Sequence, residues 1–187
     1  MSRWKPNASS RLQQAALELY SEHGFDETTV AEIAQRAGLT ERTFFRHFAD
    51  KREVLFAGAD SLQELMVSTI ADAPDGTVPI ATIAAALEAA AAWFHYHEYS
   101  RLRQAVIAAN AGLRERELIK FAALSAALAE ALRQRGVSEP AASLAAEAGI
   151  VVFKVAFERW VDDGNQRALL PLIREAFNDL RAVTTGS

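Results

Sequence analysis

The chain of 187 residues contains no cysteine. That excludes a disulfide framework, a thiolate zinc or iron–sulfur site, and a thiol nucleophile. It fits a reducing compartment. Glycine occurs only 9 times, and no two glycines lie closer than 13 positions. Dinucleotide-binding loops, phosphate-cradling P-loops and nucleophile elbows need tighter glycine spacing, so none is present. Charge of either sign is not in large excess. The 20 basic and 24 acidic side chains leave a net of −4, which excludes a uniformly basic nucleic-acid glue. Long apolar runs are also missing. The stretch Ile80 to Phe94 is mostly alanine, carries Glu88, and is too short to span a bilayer. The opening MSRWKPNASSRLQQ has no apolar run behind its basic residues and does not read as a signal peptide, so the cytoplasm is the expected compartment and no membrane partner is expected.

Alanine, leucine, glutamate and arginine dominate what is there, at 3.6-residue spacing, and β-branched residues do not gather into alternating runs. The pattern predicts an all-α chain of about nine helices. Charge divides unevenly along it. Residues 1–52 carry a net of +1 and the remainder −5. A mildly basic head before an acidic body suggests that the head meets a polyanion. The expected division is residues 1–52 as head and 53–187 as helical body.

Helix 1 is expected to begin after Ser9 or Ser10, with Ser10 and Gln13 as a capping box, and Gly24 as its stop. Thr29 and Glu32 form a second capping box for helix 2, whose apolar face is Val30, Ile33, Ala34 and Ala37. Gly38-Leu39 reads as a tight turn, and Thr40 caps helix 3. Asp50 with Glu53 is expected to open a continuous helix 4 that runs through Ile70. Helices 5 to 9 are expected near 79–96, 100–110, 113–135, 140–163 and 166–183, separated by turn residues such as Pro74-Asp75-Gly76.

Two short helices joined by Ala37-Gly38-Leu39, the second exposing Glu41, Arg42, Thr43, Arg46 and His47, make a helix-turn-helix. Such a motif lays its second helix in the major groove of double-stranded DNA, where the early side chains reach base edges. Phe44 and Phe48 have the spacing of core residues that pack the pair together. The cations Lys51-Arg52 are poorly placed for the dipole of a helix starting there, unless a phosphate lies nearby.

The run GFDETTVAEIAQRAGLTERTFFRHFADKREVLF resembles the DNA-binding head of the TetR family of transcriptional regulators over about residues 10–56. The ERTFFRHF wording is most similar to actinobacterial members, including the mycofactocin-regulator type. The resemblance implies a homodimeric repressor released from a palindromic operator by a small ligand, with no catalytic residue, metal or cofactor. By position, it implies that Thr29 and Lys51 hold phosphates. Glu41, Arg42 and Thr43 would face bases, with Thr40 and Arg46 beside them. Phe45 and His47 would lie against the sugar-phosphate backbone. The family usually has Tyr where this chain has Phe45, so the phosphate bond of that hydroxyl is lost here. Glu41 is expected either to accept from cytosine N4 or to orient Arg42.

The body has many aromatics among small alanines, a composition that leaves room for a cavity. With the resemblance, this implies a pocket for an apolar or aromatic effector among helices 4 to 8. The candidate walls are Leu62, Met66, Trp93, Phe94, Phe121 and Phe153, with His97 or Asn110 as the orienting polar group. His95, His97 and Glu98 lie close in sequence, but residues two apart on a helix diverge, so they read as polar residues at a helix end and not as metal ligands. Dimerisation is expected through the last two helices, by Leu144, Ala148, Val151, Val152 and Val155 on one and Leu169, Leu172, Ile173, Ala176, Phe177 and Leu180 on the other. Two alternatives stand beside this: a ligand-independent DNA-binding protein or activator of the same fold, and an all-α enzyme or lipid carrier. No nucleophile–base or paired-carboxylate pattern supports the enzyme.

Overall fold

The structure is a computed structural model and describes residues 7–94, 96–162 and 167–185. Among these residues the chain forms nine α-helices, one 3-10 turn and no strand. They are α1 (Ala8–His23), α2 (Val30–Arg36), α3 (Glu41–His47), the 3-10 turn Glu53–Phe56, α4 (Ala59–Ala71), α5 (Pro79–Ala91), α6 (His97–Ala109), α7 (Ala111–Gln134), α8 (Ala141–Asp162) and α9 (Leu169–Thr185). No helix among the described residues is long and apolar enough to cross a membrane.

Two sequence expectations are corrected at this level. Helix α1 starts earlier than expected, because Asn7 is its cap and accepts from the Ser10 amide at 2.8 Å. Helix 4 is not continuous. Asp50 accepts from the amides of Arg52 and Glu53 at 2.7 and 3.2 Å, which starts the short 3-10 turn. Gly58 then takes φ +85°, a left-handed conformation that ends the turn before α4 begins.

The chain forms two compact units. One comprises residues 1–58 and 102–117, the other residues 59–101 and 118–187. Compactness thus groups the end of α6 and the start of α7 with the head, whereas the sequence reading drew a single boundary after residue 52. Long-range polar contacts accompany this grouping. Arg116 Nε donates to Glu53 at 2.6 Å, Arg103 Nε to the Leu55 carbonyl at 2.5 Å, and Asn110 Nδ2 to Asp26 at 3.1 Å.

In the second unit α8 packs against α5 and α9, and α5 against α4 and α9. The core runs from Met66 and Ile70 of α4 through Ile83 and Leu87 of α5 to Ala146, Ile150, Phe153 and Phe157 of α8 and Leu172 and Phe177 of α9. Gly149 makes the α5–α8 approach possible, since a Cβ there would lie 2.3 Å from Ile83 Cγ2. Arg174 of α9 clasps Glu88 of α5 through two bonds at 2.7 and 3.0 Å.

Candidate nucleic-acid interface

The head is built on fully buried Leu12, Ile33 and Phe44, over which α1, α2 and α3 cross. Burying a side chain of this size stabilises by roughly 1.5–3 kcal/mol, so the three fix the angle between α2 and α3. The turn between those helices is tight. Gly38 at φ +63° donates to the Gln35 carbonyl at 2.9 Å, and the Leu39 amide to that of Ala34 at 2.8 Å. Arg11 reaches over from α1 and donates to the Ala37 carbonyl, and to that of Gly38 at 3.4 Å. Arg36 joins α2 to α1 by a two-pronged pair with Glu22 at 2.9 and 3.1 Å. That hydrogen-bonded guanidinium holds the Glu22 carboxyl below its ordinary range.

Both expected N-caps of the motif are formed. Thr29 accepts from the Glu32 amide at 3.2 Å, while Glu32 accepts from the Thr29 amide at 2.8 Å. Thr40 accepts from the Thr43 amide at 3.2 Å. Helix α3 buries Phe44 and leaves Glu41, Arg42, Phe45, Arg46 and His47 exposed, with Thr43 half-buried. Arg42 and Arg46 have no ion pair or hydrogen bond among the described residues, unlike Arg11, Arg36 and Arg52 of the same unit. Glu41 makes no bridge to Arg42, because neighbouring helix residues point apart. Two uncompensated guanidinium groups therefore project from one short helix, held from behind by packed rings.

Lys51 departs from its expected place. Its ammonium donates to the carbonyls of Phe25, Asp26 and Thr28 at 2.8, 3.1 and 2.9 Å and lies 4.5 Å from the centre of the Phe25 ring. An ammonium has three N–H groups, and all are taken by the link between α1 and α2. None is left over for a phosphate. The buried Tyr20 hydroxyl donates to the Lys51 carbonyl at 2.6 Å, and burial raises its pKa well above the ordinary phenol value. Lys51 thus fastens the segment that leads into Thr29.

The expected pocket residues meet only in part. Met66 and Phe153 lie in the core of the second unit, and Leu62, Phe94 and Phe121 pack against it. Phe94 contacts Phe153 and Phe157 with ring centres 5.5 Å apart, and Phe121 contacts Phe153 at 6.1 Å. These rings fill space against one another. His97 donates from Nε2 to the Trp160 carbonyl at 2.7 Å, Trp93 is exposed, and Asn110 belongs to the first unit. Asn110 caps α7 through the Leu113 amide at 3.1 Å. His95 lies outside the described residues.

The expected dimer residues also divide. Val152, Leu169, Leu172, Ile173, Ala176 and Phe177 are buried in the core of the second unit, a correction to their assignment as dimer residues. Sequence alone does not show that α5 packs against both α8 and α9 and takes up these side chains. Leu144, Val151 and Val155 remain 67, 55 and 44% exposed, Ala148 and Leu180 are half-buried, and the α8 members recur at helical spacing along one stripe. Sequence reasoning missed Arg11, Arg36, Arg103 and Arg116 as organisers of the head. Their partners lie 14 to 63 residues away, and no local pattern marks them.

Residues 12–57 match the family model described as bacterial regulatory proteins, tetR family. The chain is 35% identical over 79 residues to the HTH-type transcriptional regulator TcmR of Streptomyces glaucescens, covering 42% of this chain and 35% of that protein. It is 33% identical over 54 residues to the putative mycofactocin biosynthesis transcriptional regulator MftR of Mycobacterium tuberculosis, covering 29% of this chain and 27% of that one. The chain thus spans about a third or less of the length of these curated relatives. Among solved structures it resembles SmeT, the repressor of the Stenotrophomonas maltophilia multidrug efflux pump SmeDEF, in complex with triclosan. The TM-score is 0.63 at 19% identity, covering 94% of this chain and 90% of that one, a likeness of fold.

Proposed function

From a chain that belongs, by its DNA-binding head, to the TetR family of transcriptional regulators, we infer a homodimeric repressor that leaves a palindromic operator when an apolar small molecule binds its body. The observation that carries the reading is the outer face of α3. Arg42 and Arg46 stand unpaired on a helix whose inner face, turn and flanking link are each fixed by packing or by a buried polar contact. A preorganised pair of guanidinium groups suits guanine O6 and N7 or phosphate oxygens, and few other partners of a −4 protein.

One head contacts few base pairs, and two-fold symmetry doubles the site. The α8 stripe of exposed Leu144, Val151 and Val155 with half-buried Ala148 is the surface we assign to the second copy. The effector's class follows from the composition of the second unit's core, where Leu62, Phe94, Phe121 and Phe153 pack rings and methyls together and a ligand that parted them would meet apolar groups. Triclosan, the ligand of the similar SmeT complex, has this character. The ligand-independent regulator is the second reading, favoured by the mutual packing of Phe94, Phe153 and Phe157.

The test is a fluorescence-anisotropy titration of the full chain against duplexes selected from a random pool, with and without hydrophobic small molecules. Enrichment of a palindrome and its release by an apolar compound are expected. Release by polyanionic metabolites alone would overturn the effector class. Binding that no compound alters would favour the ligand-independent regulator.

A further inference from the structure

Phe45 is the one large apolar side chain that residues 7–58 leave exposed, at 56% of its surface. It sits four residues after Glu41 and three after Arg42, so it shares their outward face of α3, while His47, two residues on, points elsewhere. Its ring stands edge-on to Phe44, with centres 5.4 Å apart and planes at 81°. Phe44 is fully buried, so the exposed ring has a fixed backing. A phenyl ring has no donor to offer a phosphate, and its π-face is negative, so a phosphodiester is a poor neighbour. An apolar group at a base edge is a good one. In the major groove, among the four standard bases, only thymine presents such a group, its 5-methyl.

We propose that Phe45 is a specificity-determining residue that packs on the 5-methyl group of a thymine in each half-site, beside the base read by Arg42. This rests on the DNA-binding reading above. It moves Phe45 from the sugar-phosphate backbone, where the family resemblance sets it, to a base edge. Arg42 and Arg46, unpaired on the same helix, supply the charge that draws the ring into the groove.

The experiment selects a duplex with the full-length protein, then replaces each thymine in turn by deoxyuridine, which lacks only the methyl. At one thymine per half-site the replacement is expected to weaken wild-type binding about fourfold, the worth of one buried methyl group. Phe45→Ala is expected to bind thymine and deoxyuridine duplexes alike. Arg42→Ala is expected to bind more weakly and keep the deoxyuridine effect. Phe45 is largely exposed, so its variant is not expected to unfold, and circular dichroism checks this directly. If no thymine responds, or if Phe45→Ala responds as wild type does, the proposal is overturned while DNA binding stands. If no duplex is enriched at all, the DNA-binding reading fails, and the proposal with it.

Discussion

Lys51→Met keeps the aliphatic stem and removes the ammonium. Three N–H donations are lost, to Phe25, Asp26 and Thr28, together with the charge over the Phe25 ring. A hydrogen bond from a charged group contributes about 1.5–3 kcal/mol where water is excluded. Here the cage is only part-buried and the Asp26 bond is exposed, so water restores much of the loss. The three bonds also share a single desolvation cost. A net destabilisation of about 2–4 kcal/mol, confined to the head, is the resulting expectation. Hydrogen exchange reads it locally, as loss of protection at residues 25–29 and the start of α2. A DNA titration at several salt concentrations supplies the discriminating readout. A lysine bound to phosphate, when removed, lowers the salt slope by about 1 per contact. A lysine that fastens the link leaves that slope unchanged, and weakens binding only through the population of ordered heads. An unchanged exchange pattern together with a slope reduced by about 1 per half-site would refute the structural role.

Four further outcomes are expected. Arg42→Ala should cost roughly 1–3 kcal/mol per half-site and relax preference at one or two base positions, read by titration against operator and scrambled duplexes. Val151→Lys places a charge in the exposed α8 stripe, and sedimentation at micromolar concentration should show the monomer, with DNA affinity reduced in step. Gly149→Ala drives a methyl to 2.3 Å from Ile83 Cγ2 and should destabilise the second unit by about 1–3 kcal/mol, seen as a lowered thermal midpoint. Asp50 is held below the ordinary carboxylate range first by its Arg52 side-chain bond, and Glu32 first by the Thr29 amide. Folded values below unfolded ones stabilise above about pH 4–4.5 and cease to do so as pH falls through the depressed values. Asp50→Asn should therefore be less stable than wild type at pH 7, with the gap closing toward pH 3 in a series of thermal melts.

The helical class and the helix-turn-helix were legible in the sequence because their signals are local. Thr29 with Glu32, Thr40 before α3, and Gly38 between the helices act within four residues of themselves, and each stands in the structure where its spacing put it. Phe44 and Phe48 read as core for the same reason. Helix 4 breaks where its apolar stripe continues, because periodicity runs on past a backbone break and Gly58 takes a left-handed conformation there.

What only the tertiary structure decided is how distant residues share partners. Lys51 looked available because its competing acceptors are backbone carbonyls of a link 23 to 26 residues earlier, and carbonyls leave no mark on sequence. The α9 residues from Leu169 to Phe177 are expected from sequence at a dimer interface, but they are core because α5 and α8 pack on them. His97 and Asn110 looked like pocket groups until Trp160 and Asp26 claimed them across 63 and 84 residues. Sequence periodicity determines which face of a helix is apolar. It does not determine what meets that face, since burial and hydrogen bonding are settled by whichever groups the folded chain brings within a few ångströms.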